Sequence, residues 1–397
     1  MPKSNAPLAK NVNKTKTIYL DYAASVSANP SSIHVMGVEA RRSLEDARRK
    51  VAGILNAQPD EIVFTSGGTE SNNLAIQGAV FSFLEKSSGK KLPHLITTNI
   101  EHPSVLETFK LLKKRKLAEV SIVPVEPDGI VDPKKIKKEI KKNTVLVSVR
   151  YANKERGTIQ PIKEIAKEIR HYQKFHKSNN IYFHTDAVQA VNYLDLRTEK
   201  LGVDMMSFSG SKILGAGRVG VLYKKRIVPL VNILGGGDQE QGLRPGTENL
   251  PDIIKFASAL EMAQKNKDKE VKRLKVLQDY FLKKLLNLQK DFSSPIIING
   301  DLVNRLPNNI NVTFPKIPSD LLVIELSAHG VMTSSKSACK SSKAEGSYVI
   351  EALRRDADPE IGGVRLSLGA DITKKEIDYT LKALSVILNK LSKWYTP

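Results

Sequence analysis

The sequence predicts an α/β protein in two parts: a large domain built on a mainly parallel sheet between helices, then a smaller α+β domain. Three observations predict it. Short apolar runs bounded by small residues alternate with helical runs from Glu61 to Tyr223, the pattern of a parallel sheet covered by helices. The chain has 397 residues, long for one compact core, so two domains are the default. Residues with chemistry sit in the loops at successive strand ends, where ligands of such sheets bind.

The elements follow in order. Residues 1–17 carry lysines but no apolar stretch of a secretory signal and no arginines of a transit peptide, so they read as a disordered tail. Ile18–Tyr22 reads as a strand, Asn29–Ser32 as a turn and N-cap, and Val38–Leu55 as a helix. Glu61–Thr65 is a strand, followed by the small-residue turn Ser66–Ser71 and a helix over Asn72–Leu84. Strand, turn and helix start make a phosphate-binding geometry: free N–H groups and the positive dipole end face an anion, and Thr69 adds a hydroxyl. Taken alone the SGGTE segment is weak, because many helices start this way with nothing bound.

Leu95–Thr98 is the next strand, and His102 comes off its end. It is either a surface or cap residue, or a ring that stacks on a ligand or shuttles a proton. Strands Ala118–Val125 and Thr144–Val149 flank a lysine-rich helix, Pro133–Lys142, and the loop Tyr151–Gly157 follows. A helix, Ile162–Phe175, leads into strand Ile181–Asp186. Asp186 is either a helix N-cap or an ionised carboxylate paired to a cationic ring nitrogen.

Strand Met205–Phe208 ends in Ser209-Gly210-Ser211-Lys212, and Val219–Tyr223 is the strand beyond. Lys212, held between two apolar strands, is expected to be desolvated rather than a surface lysine on a glycine-rich turn. Desolvation lowers a lysine's pKa and leaves the free amine that a carbonyl-attacking lysine needs. An irregular loop, Gly235–Asn249, precedes a long helix, Pro251–Leu288, that crosses to the second domain. Strands near Pro295–Ile298, Ile310–Phe314 and Val364–Leu366, with helices Asp320–Ala328, Tyr348–Leu353 and Lys374–Leu391, complete that domain.

The net charge is +20, but the lysines are spread along helices such as Lys134–Lys142 and Lys265–Lys284. There is no zinc-finger spacing and no aromatic RNA-binding signature, so a solvated surface is expected rather than a nucleic-acid face. A docking face for acidic proteins comes second. No apolar run reaches the length of a membrane span. Cys339 is the single cysteine, which excludes an internal disulfide and points to a reducing compartment. It is either an incidental core residue or a working thiol.

The segments YLDYAA, FTSGGTESNNLAI, EHPSVL, HTDAVQ, MSFSGSK, GLRPGTEN, SSKSAC and VRLSLG occur in that order between Ile18 and Leu391. Together they resemble the PLP-dependent cysteine desulfurases of the NifS/IscS type, in the class V aminotransferase group of fold type I enzymes. The resemblance implies a seven-stranded sheet in a PLP-binding domain over residues 18–255. It implies a small domain over 256–397 that carries the cysteine loop. Pyridoxal 5'-phosphate (PLP) would be the cofactor and L-cysteine the substrate, giving L-alanine and a persulfide on Cys339. The enzyme would be a cytoplasmic homodimer that passes sulfur to an iron–sulfur scaffold or a tRNA-thiolation enzyme. No resident metal is implied, and Cys339 is at most a transient iron–sulfur ligand.

Residue by residue, the resemblance assigns Lys212 as the lysine that bears PLP. Gly68, Thr69, Ser209 and, from the partner subunit, Thr247 would hold the phosphate, with Ser211 able to add a donor. Asp186 would pair with the ring nitrogen, Gln189 with the ring hydroxyl, and His102 would stack on the ring. Arg365 would grip the substrate carboxylate, a bidentate task suited to arginine. The stretch Ser335–Lys343 is small, polar and basic, and it reads as a mobile loop whose lysines favour a thiolate at Cys339.

Four departures from the family pattern stand out. Ser211 and Lys154 occupy positions where the family has a histidine and a ring-contacting asparagine. Lys336 replaces a glycine, and the chain is shorter between Ala24 and Asn29, so the family's first helix is expected to be missing. Another class V enzyme, such as an aminotransferase or selenocysteine lyase, is the nearest alternative. A catalytically silent scaffold of the same fold is the more distant one.

Overall fold

The computed structural model describes residues 18–26, 28–89, 91–177, 181–289, 292, 295–335 and 362–395. Its centre is a seven-stranded sheet of β1 (Ile62–Thr65), β2 (His94–Thr98), β3 (Glu119–Val123), β4 (Thr144–Ser148), β5 (Tyr182–Asp186), β6 (Met205–Ser209) and β7 (Gly220–Lys224). The order across the sheet is β1-β7-β6-β5-β4-β2-β3. The pairs from β6 to β3 are all parallel, and β7 runs antiparallel between β1 and β6. The carboxyl ends of β1, β2, β4, β5 and β6 therefore open at one edge.

Alternate strand residues fill opposite faces. Phe64, Ile96, Val147 and Phe208 enter one core cluster, while Val63, Leu95, Leu146 and Met205 enter the other. A sheet covered on both faces reads as continuous apolar runs, which is why these strands are plain in the sequence. Helices α1 (Val35–Leu55) and α5 (Ile162–His176) cover the first face, and α2 (Gly68–Lys86) and α3 (Pro103–Lys114) the second. Short helices α4 (Pro133–Lys138) and α6 (Thr198–Leu201) complete the layer. Helix α4 stops four residues before the predicted end, with Ile136 its one buried residue.

Helix α7 (Leu250–Leu288) joins the two cores. Ile253, Phe256 and Leu260 pack on the sheet; Leu274, Leu277, Phe281 and Leu285 belong to the second cluster. The expected boundary at 255/256 falls inside this helix. The second cluster packs around an antiparallel sheet, β10-β9-β8, made of β8 (Ile297–Ile298), β9 (Asn309–Thr313) and β10 (Val364–Ser367). Helices α8 (Ser319–Ala328) and α9 (Lys374–Tyr395) cover it. The expected helix Tyr348–Leu353 and the cysteine loop from Lys336 onward lie outside the described residues, as does the tail 1–17.

One expectation fails. Ile18–Tyr22 is not a strand but an irregular stretch entering a turn. Its apolar side chains Ile18, Leu20 and Tyr22 are exposed and meet no strand of either sheet. The stretch is fixed locally instead: Tyr19 Oη donates to Ser25 O at 3.0 Å, and Asp21 Oδ2 accepts from Ser32 Oγ at 2.9 Å. No described residue between Ala24 and Asn29 is helical, as expected from the shortened segment.

A buried ion pair ties α1 to the loop before α7. Arg48 Nη1 and Nη2 donate to Glu240 Oε2 and Oε1 at 2.8 and 2.7 Å, and Phe64 N–H donates to the same carboxylate at 2.8 Å. Removing one partner leaves the other charge buried and unpaired. We expect Glu240→Ala to cost about 3–5 kcal/mol of unfolding free energy, read from denaturant titration. A loss below about 1 kcal/mol would mean that the pair is solvated.

Candidate active site

The loops at the open edge of the sheet converge on one cleft of about 450 Å³. Gly68 and Thr69 enter it from the start of α2, His102 from the start of α3, and Lys154 from the loop after β4. Asp186 and Gln189 come from the end of β5, and Ser209, Ser211 and Lys212 from the end of β6. Arg365 of β10 reaches the same cleft from the second domain. Residues up to 297 positions apart in sequence are thus gathered by one sheet edge and one facing strand.

The base of the cleft is a helix start. Gly67 precedes α2 and supplies no side-chain cap, which leaves the first N–H groups of the helix aimed outward. A Cβ on Gly68 would sit 2.9 Å from Val188 Cγ2, so a side chain here would force Val188 to shift. Ser209 Oγ and Ser211 Oγ lie 3.0 Å apart beside it.

Asp186 caps no helix, since a turn follows it, but its carboxylate lies in the cleft. Its Oδ1 accepts from Val188 N–H at 3.0 Å, closing that turn, while Oδ2 accepts from Asn72 Nδ2 at 3.1 Å. The side chain is buried and lines the cleft. His102 caps α3, with Nδ1 accepting from Ser104 N–H at 3.1 Å, and its ring lines the cleft. That bond puts the ring proton on Nε2. Burial pushes His102 down to about 4; Asp186 opposes this, while Lys154, Arg150 and Lys212 add to it. The imidazole is therefore neutral near pH 7.

Lys212 corrects an expectation. It is exposed at the rim of the cleft, not desolvated between the strands. The burial of β6 ends at Gly210, and Lys212 sits on the short 3₁₀ turn beyond, with its carbonyl accepting from Asn192 Nδ2 at 2.6 Å. Thr247 does not line this cleft; it is exposed beside Arg218, Arg244 and Glu248 in a separate, smaller pocket. Cys339 lies outside the described residues.

The sequence reading missed part of the lining: Asn72, Ser104, Arg150, Asn308, Asn309 and Ser367. Beneath it sits a buried acid. Glu101 accepts from Thr98 Oγ1 at 2.7 Å and, with both oxygens, from Arg150 N–H at 3.0 Å. Burial pushes it up to about 7, against the opposing charge of Arg150. Asn309 Nδ2 donates to Lys154 O at 3.0 Å and Asn311 Nδ2 to Glu155 O at 3.0 Å, so β9 braces the loop that carries Lys154. Gly157 closes that loop at φ +76°, where a Cβ would meet Asn309 at 2.8 Å.

These groups make stability depend on pH in opposite senses. His94, His102 and His184 are each pushed from 6.5 to about 4, by burial first. The unfolded chain binds more protons than the native one in that window, so their contribution is lost as pH falls. Glu101 is raised from 4.5 to about 7, so its contribution is present below its unfolded value and lost as pH rises through its folded one. Glu101→Gln removes the opposing slope. Its melting temperature should fall more steeply than that of the wild type between about pH 7 and pH 5. Parallel curves would mean that Glu101 titrates normally.

The donor set fits PLP, the cofactor the resemblance implies. Helix N–H groups and the hydroxyls of Thr69, Ser209 and Ser211 suit a phosphate, a buried carboxylate suits a ring nitrogen, and a neutral imidazole suits a stacking face.

The comparisons agree with the geometry. The family described as "Aminotransferase class-V" matches residues 4–380. The protein "Cysteine desulfurase IscS" of Dictyoglomus turgidum is 40% identical, over 95% of each chain. The protein of that name from Methanosarcina thermophila is 39% identical, over 94% of this chain and 88% of its own. A solved structure titled "NIFS-LIKE PROTEIN" is 35% identical, with a TM-score of 0.81 over 92% of both chains.

Proposed function

The chain belongs to the class V aminotransferase family and is a cysteine desulfurase, and from that premise we propose how its own residues do the work. PLP is the cofactor and Lys212 bears it, with the start of α2, Thr69, Ser209 and Ser211 on the phosphate. The observation that carries this reading is the convergence of Lys212, Asp186, His102 and Arg365 on one cleft. When bound, PLP supplies the electron sink that stabilises charge developing on the substrate.

The protein does the rest. Arg365 binds the carboxylate of L-cysteine and thereby orients the substrate from the second domain. Asp186 holds a proton at the ring nitrogen, and Gln189 binds the ring hydroxyl. His102, neutral and with its proton on Nε2, gives the ring a flat face. Lys212 Nζ moves the proton from the substrate Cα. Cys339 takes the sulfur as a persulfide and L-alanine leaves. The test is incubation with PLP and L-cysteine: L-alanine should appear, and the peptide containing Cys339 should gain one sulfur atom in the mass spectrum.

The working unit is a homodimer in the cytoplasm that hands sulfur to an acceptor protein. Two facts support the dimer. Thr247 stands away from the cleft of its own chain, and Leu20 and Ile33, 90% and 95% exposed, present apolar side chains that a second copy would cover. Mixing Lys212→Ala with Thr247→Ala subunits should restore about one quarter of the wild-type activity, since half the dimers are mixed and each has one whole site. If both parents are inactive and stay so after exchange, Thr247 does not serve the partner.

A further inference from the structure

Asp186 at the end of β5 and His102 at the start of α3 face the same cleft, and one side chain lies between them. Asn72, in the first turns of α2, is 1% exposed. Its Nδ2 donates to Asp186 Oδ2 at 3.1 Å and to Ser104 Oγ at 2.9 Å. Ser104 Oγ lies 2.8 Å from His102 Nδ1, which also accepts from Ser104 N–H. Nδ1 is therefore an acceptor, the serine hydroxyl donates to it, and the serine oxygen is left to accept from Asn72. Among the described residues Asn72 Oδ1 has no partner, so both contacts run through the amide nitrogen. The amide cannot turn over, because its oxygen would then face a carboxylate oxygen.

We propose that Asn72 is a positioning residue that aims the Asp186 carboxylate at the ring nitrogen and is itself held square by Ser104. Asp186 is buried, with Val188 N–H on one oxygen and Asn72 on the other. Without Asn72 the second oxygen keeps no donor from α2, and the carboxylate can rotate about its remaining bond. This rests on reading the cleft as a PLP site, so the experiment separates the two.

The experiment is titration of the full-length apo-protein with PLP, followed by absorbance, for the wild type, Asn72→Ala, Asp186→Ala and the double variant. Loss of one hydrogen bond to a charged group should weaken PLP binding about ten- to a hundredfold in Asn72→Ala. If Asn72 acts through Asp186, the double variant binds no more weakly than Asp186→Ala; an effect on packing alone would multiply with it. Asn72→Leu, which keeps volume and removes the donors, serves in the same cycle should Asn72→Ala fail to fold. Wild-type affinity in the Asn72 variants, or losses that multiply, overturns the positioning role alone. A wild-type protein that takes up no PLP overturns the reading of the cleft and the role of Asn72 with it.

Discussion

Lys212→Ala should leave a folded protein with no covalent hold on PLP and with turnover of L-cysteine lowered by at least about 10²–10⁴-fold, the share of a positioned proton-transfer group. The fold should survive because the side chain is exposed and the turn is fixed through its backbone, which alanine keeps. Arginine should not rescue the loss, since a guanidinium stays protonated and cannot act as an amine nucleophile or base. Two measurements check this. Borohydride treatment of the wild type with PLP should attach the cofactor to the peptide holding Lys212, and the variant should show none. The surface is rich in lysines, so labelling of a different lysine is a real alternative outcome, and it would remove Lys212 from its assigned role.

The exposure of Lys212 changes the argument for its reactivity. The sequence places it between two apolar runs, and the natural inference is a lysine stripped of water. In the structure the strands are buried and the turn is not. What surrounds Lys212 is charge: Lys154, Arg150 and Arg365 line the same cleft. The assignment of Lys212 therefore rests on its place in the cleft beside Asp186 and His102, not on burial.

The sheet was legible because its strands, apart from the edge strand β3, are almost wholly buried and bounded by small residues. Ile18–Tyr22 carries the same local signal, but its apolar side chains meet no strand, and no local pattern says which surface they cover. Helix α3 went unread although its signals were present: His102 as cap, Pro103 at the first position, and Val105, Phe109 and Leu112 on one face. The cleft residues Gly68, Thr69, His102, Asp186, Lys212 and Arg365 were legible through motif segments. Asn72, Ser104 and Arg150 were not, because their roles lie in contacts with residues 32 to 114 positions away. An asparagine inside a helix has no signature that separates a carboxylate partner from a surface amide. Long-range pairs of this kind emerge only when β2, β4 and β5 are laid side by side.

Cys339→Ser should stop sulfur transfer while leaving cofactor and substrate binding intact. Cys339 is the only thiol in the chain, so no neighbour can substitute for it. A serine hydroxyl is far less ionised near neutral pH than a thiol of free pKa ~8.5, and it is a weaker nucleophile. Lys336, Lys340 and Lys343 flank the cysteine in sequence and favour its thiolate. Lys212, Asp186 and Arg365 are untouched, so the variant should still turn yellow with PLP and change its spectrum when L-cysteine is added. Sulfide release should fall to background, and no sulfur should be found on the peptide around residue 339. If Cys339 were only a packing residue, serine would lower the melting temperature and reduce every step together. Measuring melting temperature beside sulfide release separates these outcomes. A stable Cys339→Ser protein that released sulfide at the full rate would show that the thiol is not the acceptor, and sulfur would then have to leave the cleft without passing through the protein.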